Sequence, residues 1–290
     1  TLEQYIRLHK QIIDDENKGR SISFETEQQI NLLNAEKQKQ QKEISRQKFI
    51  RNLIIGGLAL MIIFSIIFLL QRIRIAKEKK RSEELLLNIL PAEVAAELKQ
   101  TGLCQPKTFS MVTVMFTDFK DFTRVSERFS AELLVGEINY CFSAFDNILQ
   151  KYKIEKIKTV GDAYMCAGGL PSLSYTHAFD VVTAALEMKD FMLNRKKEKE
   201  GKGEIAFEIR IGVHTGPVVA GIVGIKKFSY DIWGDTVNLA ARMEQSCDPG
   251  NVNISGSTYE LVKEKFNCTH RGKIAAKHKG EVDMYFVGSK

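Results

Sequence analysis

Two aspartates carry the first chemical signal in this sequence. Asp118 closes the apolar, β-branched run MVTVMFTDF, and Asp162 sits in the tight turn TVGD between two short strand-like segments. If those strands are neighbours, both carboxylates project at one edge of a sheet. Like charges held together suit a hard divalent cation that also bridges phosphates. Either aspartate taken alone also reads as an ordinary turn residue. Between them, FTDFKDFTRVSE leaves a strand and enters a helix, a place where backbone amides can cradle a polyphosphate.

The elements that must position these groups follow from periodicity. MVTVMFTDF reads as a buried strand. SAELLVGEINYCFSAFDNILQKY reads as an amphipathic helix with Leu133, Leu134, Ile138, Phe142, Phe145 and Leu149 on its inner side. IEKIKTVGDAYMCAGG gives two strands joined at Val160-Gly161-Asp162, and THAFDVVTAALEMKDFMLNRKKEK a second amphipathic helix. FEIRIGVHTGPVVAGIVG supplies a further strand and a Gly-rich turn. The order β-α-β-β-α-β is that of a ferredoxin-like α+β domain. That fold hosts many functions, so the site must decide among them.

Upstream the pattern differs. Residues 53–70, LIIGGLALMIIFSIIFLL, hold no charge and one polar side chain, Ser65. Eighteen residues at helical rise span roughly 27 Å, close to the hydrocarbon thickness of a bilayer. The chain therefore divides into a polar helical stalk (1–52), a transmembrane helix (53–71), a juxtamembrane helical linker (72–106) and a catalytic domain (107–290). Arg72, Arg74, Lys77, Lys79, Lys80 and Arg81 follow the span and favour a cytoplasmic C-terminal side in the cell (inner) membrane. In the linker, Ser82 is placed to cap a helix carrying Leu85, Leu86, Ile89 and Leu90; Pro91 breaks it, and a short helix runs on to Gly102. The chain begins at Thr1 and reads as a piece of a longer protein.

Composition narrows the function classes. The net charge of +6 over 290 residues is spread along the chain, which argues against a nucleic-acid-binding face. Cys104, Cys141, Cys166, Cys247 and Cys268 are odd in number and widely spaced, as expected of reduced thiols. His177, His214, His270 and His278 show no zinc-ligand arrangement, and His214, on an apolar strand, reads as structural. Trp233 reads as core or as dimer interface.

Taken together, the segments from about Phe109 to Val287 resemble class III adenylyl and guanylyl cyclases, in the adenylyl, bacterial membrane-anchored form. The resemblance rests on VMFTDFKDFT, KIKTVGDAYM, RIGVHTGPVVAGIVG and YDIWGDTVNLAARME in that order, closed by RGKIAAKHKGEVDMYFV. It implies roles position by position. Asp118 and Asp162, with the Phe119 carbonyl, would hold two Mg²⁺ or Mn²⁺ ions. Phe122 and Thr123 would offer backbone amides to phosphate oxygens. Asn238 would orient the ribose, and Arg242 would stabilise charge on the α-phosphate. Lys277 would be the phosphate lysine, with Lys279 as the near alternative. Lys158 and Asp231 occupy the base-selecting positions.

Adenine offers a donor amine and an acceptor ring nitrogen, so a donor lysine and an acceptor aspartate suit ATP rather than GTP. The resemblance further implies that the acids come from one subunit and the remaining groups from another, hence a symmetric homodimer with two sites. The expected activity is ATP to cyclic AMP and pyrophosphate. Two alternatives stay open: a guanylate cyclase, and a nucleotide-binding regulatory module with weak turnover. One departure bears on the last: Asp121 stands where the family usually has Gly, adding a side chain and a negative charge beside the triphosphate.

Overall fold

The structure, a computed structural model, describes residues 2–224, 228–276 and 280–290. It divides into two units, Thr1–Arg81 and Ser82–Lys290.

The N-terminal unit is helical. Helix α1 (Leu2–Leu87) runs unbroken through Ser82, so no new helix begins there as the sequence had suggested. The reason is local: between Gly57 and Pro91 no glycine or proline interrupts a run of good helix formers. Within α1 lies a helix long and apolar enough, by length and composition, to cross a membrane, with a mean hydropathy of 3.0 over its 18-residue window. None of that window is buried. A helix that is apolar all round and uncovered in water is unfavourable, which is what a bilayer relieves.

The second unit is built on one mixed sheet. Its elements are α2 (Ala92–Thr101), β1 (Lys107–Phe119), α3 (Phe122–Ser126), α4 (Ala131–Tyr152), β2 (Glu155–Val160), β3 (Ala163–Gly168), α5 (His177–Gly201), β4 (Ile209–Val223), β5 (Ser229–Trp233), α6 (Asp235–Gln245), β6 (Val252–Ser255), α7 (Gly256–Val262), β7 (Asn267–Ala276) and β8 (Gly280–Gly288). The strand order is β2-β3-β1-β4-β6-β8-β7, with β5 paired to β4. The portion β2-β3-β1-β4 is the antiparallel ferredoxin-like core expected from the sequence.

Both faces of this sheet are apolar because the strands alternate large residues on each side. Met115, Phe119, Tyr164 and Cys166 join one core with Cys141 and Phe145 of α4 and Val181, Val182 and Met188 of α5. Val112, Val114, Met165 and Ala167 join the other with Leu90, Val94, Ala95 and Ala240. Period-two alternation thus feeds two helix layers. Leu133, expected on the inner side of α4, is exposed instead. It lies in the first turn after the Ser130 cap, where the neighbouring Leu134 packs against the core instead. The segment from Ser82 to Pro106 belongs to this unit rather than standing apart from it. Leu90, Val94 and Ala95 are buried, and Lys107 pairs with Glu97 at 2.6 Å.

A buried polar chain crosses the domain. His177 Nδ1 contacts Thr113 Oγ1 at 2.7 Å, which contacts Thr215 Oγ1 at 2.8 Å, which contacts Thr258 Oγ1 at 3.0 Å. Thr258 then meets Ser255 Oγ at 3.3 Å, and Ser255 meets His214 Nδ1 at 2.6 Å. Four hydroxyls supply four donors for five contacts, so one imidazole donates from Nδ1 while the other accepts. A second imidazole proton leaves two donors facing each other. Burial holds the His177 pKa below the usual imidazole value, with Asp180 opposing more weakly. A depressed value in the folded state means this stability is complete above about pH 6.5 and is lost as pH falls through the lower folded value. Thr113→Val, which strands His177 and Thr215, is expected to cost roughly 1–3 kcal/mol in denaturant unfolding at neutral pH, while the acid limb of stability against pH, set by the burial of His177, keeps its slope. An unchanged denaturation midpoint would show that the chain does not act as a unit.

Candidate active site

The register of three adjacent strands builds the acidic end. β1 pairs with β3 so that Thr117 faces Tyr164, which brings Asp118, one residue on, to the turn holding Asp162. Gly161 makes that turn possible, since its φ of 62° is costly for other residues. The two carboxyls feel each other: burial raises the Asp162 pKa, and the Asp118 charge raises it further. β1 also pairs with β4, placing Arg210 directly opposite Asp118. Arg210 Nη2 lies 3.0 Å from Asp118 Oδ1 and 2.9 Å from Glu244 Oε1. Glu244, on α6, is buried, and its carboxyl is pushed up to about 7. Burial is the main cause; Arg210 opposes it, and Asp118 and Asp162 add to it.

This donor set fits a hard cation brought with a nucleotide. Among the described residues no three His, Cys, Asp or Glu side chains form a complete metal cage. Two close carboxylates leave coordination positions for phosphate oxygens, the arrangement Mg²⁺ and Mn²⁺ favour. Phe119, whose carbonyl the resemblance adds to the set, buries its ring against Phe207 at a centroid distance of 4.8 Å. Next, Phe122 and Thr123 open α3, where backbone amides have no intrahelical acceptor. Asp121 precedes them in the left-handed region, φ 52°. Its half-exposed side chain pairs with Arg124 at 3.2 Å and Lys120 at 3.5 Å.

The second group of residues assembles elsewhere in the chain. Lys158 Nζ lies 2.6 Å from Asp231 Oδ2, and the Ile232 amide donates to Asp231 Oδ1 at 2.9 Å. The turn after β2 fixes Lys158 in register, and a bulge before it sends Lys156 to the other face. Lys156 stands opposite Cys166, but Lys158 stands opposite Met165, with Ile157 as the extra residue. Two lysines spaced by two would share a face of a regular strand. Here Lys156 reaches Asp146 at 2.8 Å beside Tyr164, while Lys158 turns to the other face and Asp231.

Asn238 and Arg242 lie one turn apart on α6; Asn238 is exposed, and Arg242 Nη1 donates to the Ala275 carbonyl at 2.8 Å. Arg242 is about 160° around the helix from Glu244, so it does not join the Asp118 cluster. The predicted phosphate lysine Lys277, and Lys279, lie outside the described residues. Sequence reasoning assigned no role to Arg210 and Glu244, although they open RIGVHTG and close NLAARME. The available signal was an arginine between two isoleucines, Ile209 and Ile211, in an otherwise buried strand.

Comparison with known proteins agrees with this geometry. The family described as the Adenylate and Guanylate cyclase catalytic domain matches residues 104–289. Guanylate cyclase soluble subunit beta-2 of Rattus norvegicus is 36% identical over 214 residues, 73% of this chain and 31% of that protein. The chain spans less than a third of the length of the curated relatives it matches, among which guanylyl cyclases predominate. Among solved structures, the adenylyl cyclase CyaB from P. aeruginosa is 31% identical with a TM-score of 0.61, covering 64% of this chain and 97% of that one. The catalytic core of a rhodopsin-guanylyl cyclase with converted specificity, in complex with ATPαS, is 33% identical with a TM-score of 0.59, covering 64% and 99%. With a family match over residues 104–289, and solved cyclase domains of like fold, the chain belongs to the adenylate and guanylate cyclase catalytic-domain family.

Proposed function

We propose that this chain is a membrane-anchored adenylate cyclase, converting ATP to 3′,5′-cyclic AMP and pyrophosphate at two sites formed across a homodimer. The observation that carries the choice of base is the Lys158–Asp231 pair, 2.6 Å apart on one face of the sheet. The lysine donates to an adenine ring nitrogen and the aspartate accepts from the exocyclic amine; guanine presents the reverse pattern. The rhodopsin-guanylyl cyclase core that binds ATPαS after conversion indicates that specificity in such a domain can change. The apolar segment 53–70 supports a single span, and the basic residues that follow it support a cytoplasmic catalytic unit at the cell membrane.

Two separated half-sites support the homodimer. Asp118 and Asp162 form one half; Lys158, Asp231, Asn238 and Arg242 form the other, to meet across a two-fold axis. Val219 and Trp233 are register partners on β4 and β5 and remain about 40% exposed, an apolar surface suited to burial against a second copy. In the reaction the ribose 3′-oxygen loses its proton and bonds to the α-phosphorus, and the bond to pyrophosphate breaks. Asp118, Asp162 and the Phe119 carbonyl would hold Mg²⁺ or Mn²⁺, which would supply Lewis-acid activation of the 3′-hydroxyl and charge neutralisation at the triphosphate. Asn238 orients the ribose, Arg242 meets the charge growing on the α-phosphate, and the amides of Phe122 and Thr123 hold phosphate oxygens. Lys277 adds a cation for the phosphates.

Three tests follow. Replacing Lys158 by Glu together with Asp231 by Cys is expected to move the ATP/GTP ratio of kcat/KM toward GTP by on the order of 100-fold or more. A wild-type preference for GTP would overturn the ATP reading. Asp118→Ala and Arg242→Ala, each inactive alone, are expected to recover about a quarter of normal activity when mixed, because half of the random dimers carry one intact site. No recovery in mixed dimers would reject the shared-site arrangement. Asp121→Gly relieves a left-handed non-glycine residue and removes a negative side chain near the phosphates. It is expected to raise stability by up to about 1 kcal/mol and to lower KM for the nucleotide with kcat little changed. A raised KM would instead give Asp121 a part in binding.

A further inference from the structure

Two arginines tie β7 and α6 together in opposite directions. Arg271 Nη1, on β7, donates to the Ser246 carbonyl at 2.6 Å, and Ser246 is the residue that caps the end of α6. Arg242 Nη1, on α6, donates to the Ala275 carbonyl of β7 at 2.8 Å. The Ser246 amide in turn donates to the Arg242 carbonyl at 3.0 Å, so the residue that Arg271 grips lies one helical turn from Arg242. The last carbonyls of a helix have no partner within it and carry the negative end of its dipole, which a guanidinium satisfies.

The Arg271 side chain is 19% exposed. Its guanidinium carbon lies 4.1 Å from the centroid of the Phe286 ring, and Nη2 stands 3.3 Å from Asp248 Oδ2. That carboxylate is mostly exposed, so the ring and the carbonyl hold the group more than the ion pair does. A bulge in β7 aims the side chain. His270 faces Tyr285 and Gly272 faces Met284, neighbours on β8, which leaves Arg271 as the extra residue. Gly272 follows with a φ of 103°, a conformation that glycine supplies. The seat of α6 on β4 does not replace this tie. A Cβ at Gly212 would stand 1.9 Å from the Glu244 backbone nitrogen, so glycine lets the helix come close. Steric contact of that kind does not fix where the helix sits along β7, whereas a directed hydrogen bond does.

We propose that Arg271 is a positioning residue for Arg242: it fastens the end of α6 to β7 and so sets where the Arg242 guanidinium meets the α-phosphate. This rests on the reading of Arg242 as the group that meets that charge. Arg271 acts through α6 and not by touching the nucleotide. Because Arg242 works in the transition state, its misplacement lowers kcat and leaves nucleotide binding nearly intact. The effect also stays with the protomer that carries both arginines.

The test uses the full chain with Arg271→Met, which keeps an apolar contact with Phe286 and removes the donors. Alone, it is expected to lower kcat for ATP about tenfold with KM changed by less than about twofold. In mixed dimers of Asp118→Ala and Arg242→Ala chains, the surviving site takes Arg242 from the Asp118→Ala chain. Arg271→Met added to that chain is expected to cut the recovered activity about tenfold. Added to the Arg242→Ala chain, it is expected to change that activity by less than about twofold. Equal loss from either chain, as general destabilisation gives, overturns the proposal. So does loss from neither, or a raised KM with kcat unchanged. If Arg271→Met melts below the assay temperature, Arg271→Lys is read in its place with the same outcomes, since lysine keeps the charge but not the fork. Failure of the underlying reading shows separately. An Arg242→Ala chain that turns over as the unaltered chain does removes the role of Arg242 itself. Mixed dimers that do not recover with Arg271 intact reject the shared site, and kcat and KM of Arg271→Met alone then decide.

Discussion

Two negative charges must sit side by side at the end of a buried sheet, and the fold is arranged to make that tolerable. Asp118 and Asp162 come together only because β1 lies between β3 and β4 in one register. A slip of one residue in β1 would carry Asp118 to the face covered by α4 and α5 and bring an apolar side chain to the acidic end. The same register sets Arg210 opposite Asp118, so one cation already stands in the field of both acids before any ligand arrives. Paired acids with a single resident cation are under-neutralised, an electrostatic setting that suits the divalent ion of the proposed function.

The two helix layers serve this arrangement differently. α4 and α5 bury aromatic and aliphatic side chains against the first face and give the sheet its rigidity. On the second face, α6 brings a carboxylate into contact with the strand that carries Arg210, while Val94 and Ala95 of α2, with Leu90 just before it, cover another part of that face. The segment before the catalytic domain is in this respect part of the enzyme's core. The hydroxyl chain from His177 to His214 ties β1, β4, α5 and α7 together through directional contacts, which fix relative position in a way that apolar packing does not.

Much of this was legible from residue order. The alternation in MVTVMFTDF and AYMCAGG gave strands with two apolar faces, and the turn at Gly161 fixed where Asp162 stands. Lys158 and Asp231, distant in sequence, were matched by motif and do meet. Other features depended on contacts that no local pattern encodes. The helix start expected at Ser82 is absent because a capping residue inside a run of helix formers has nothing to cap. Leu133 fits the apolar stripe of α4 but is exposed, because Leu134 beside it takes the place against the core. Arg210 and Glu244 come from separate motifs and meet only when α6 docks on Gly212.

The tight turn after β2 bears on how base preference is compared between relatives. Val160 pairs with Ala163 across that turn, which sets Lys158 opposite Met165 and on the face that meets Asp231. A homologue with lysine and aspartate in the matching alignment columns, but one residue more between its lysine and the turn, would aim its lysine at the helices instead. On the adenine reading proposed for this pair, nucleobase choice is written in the distance from lysine to turn as well as in side-chain identity, and a tally of matching columns alone would misassign it.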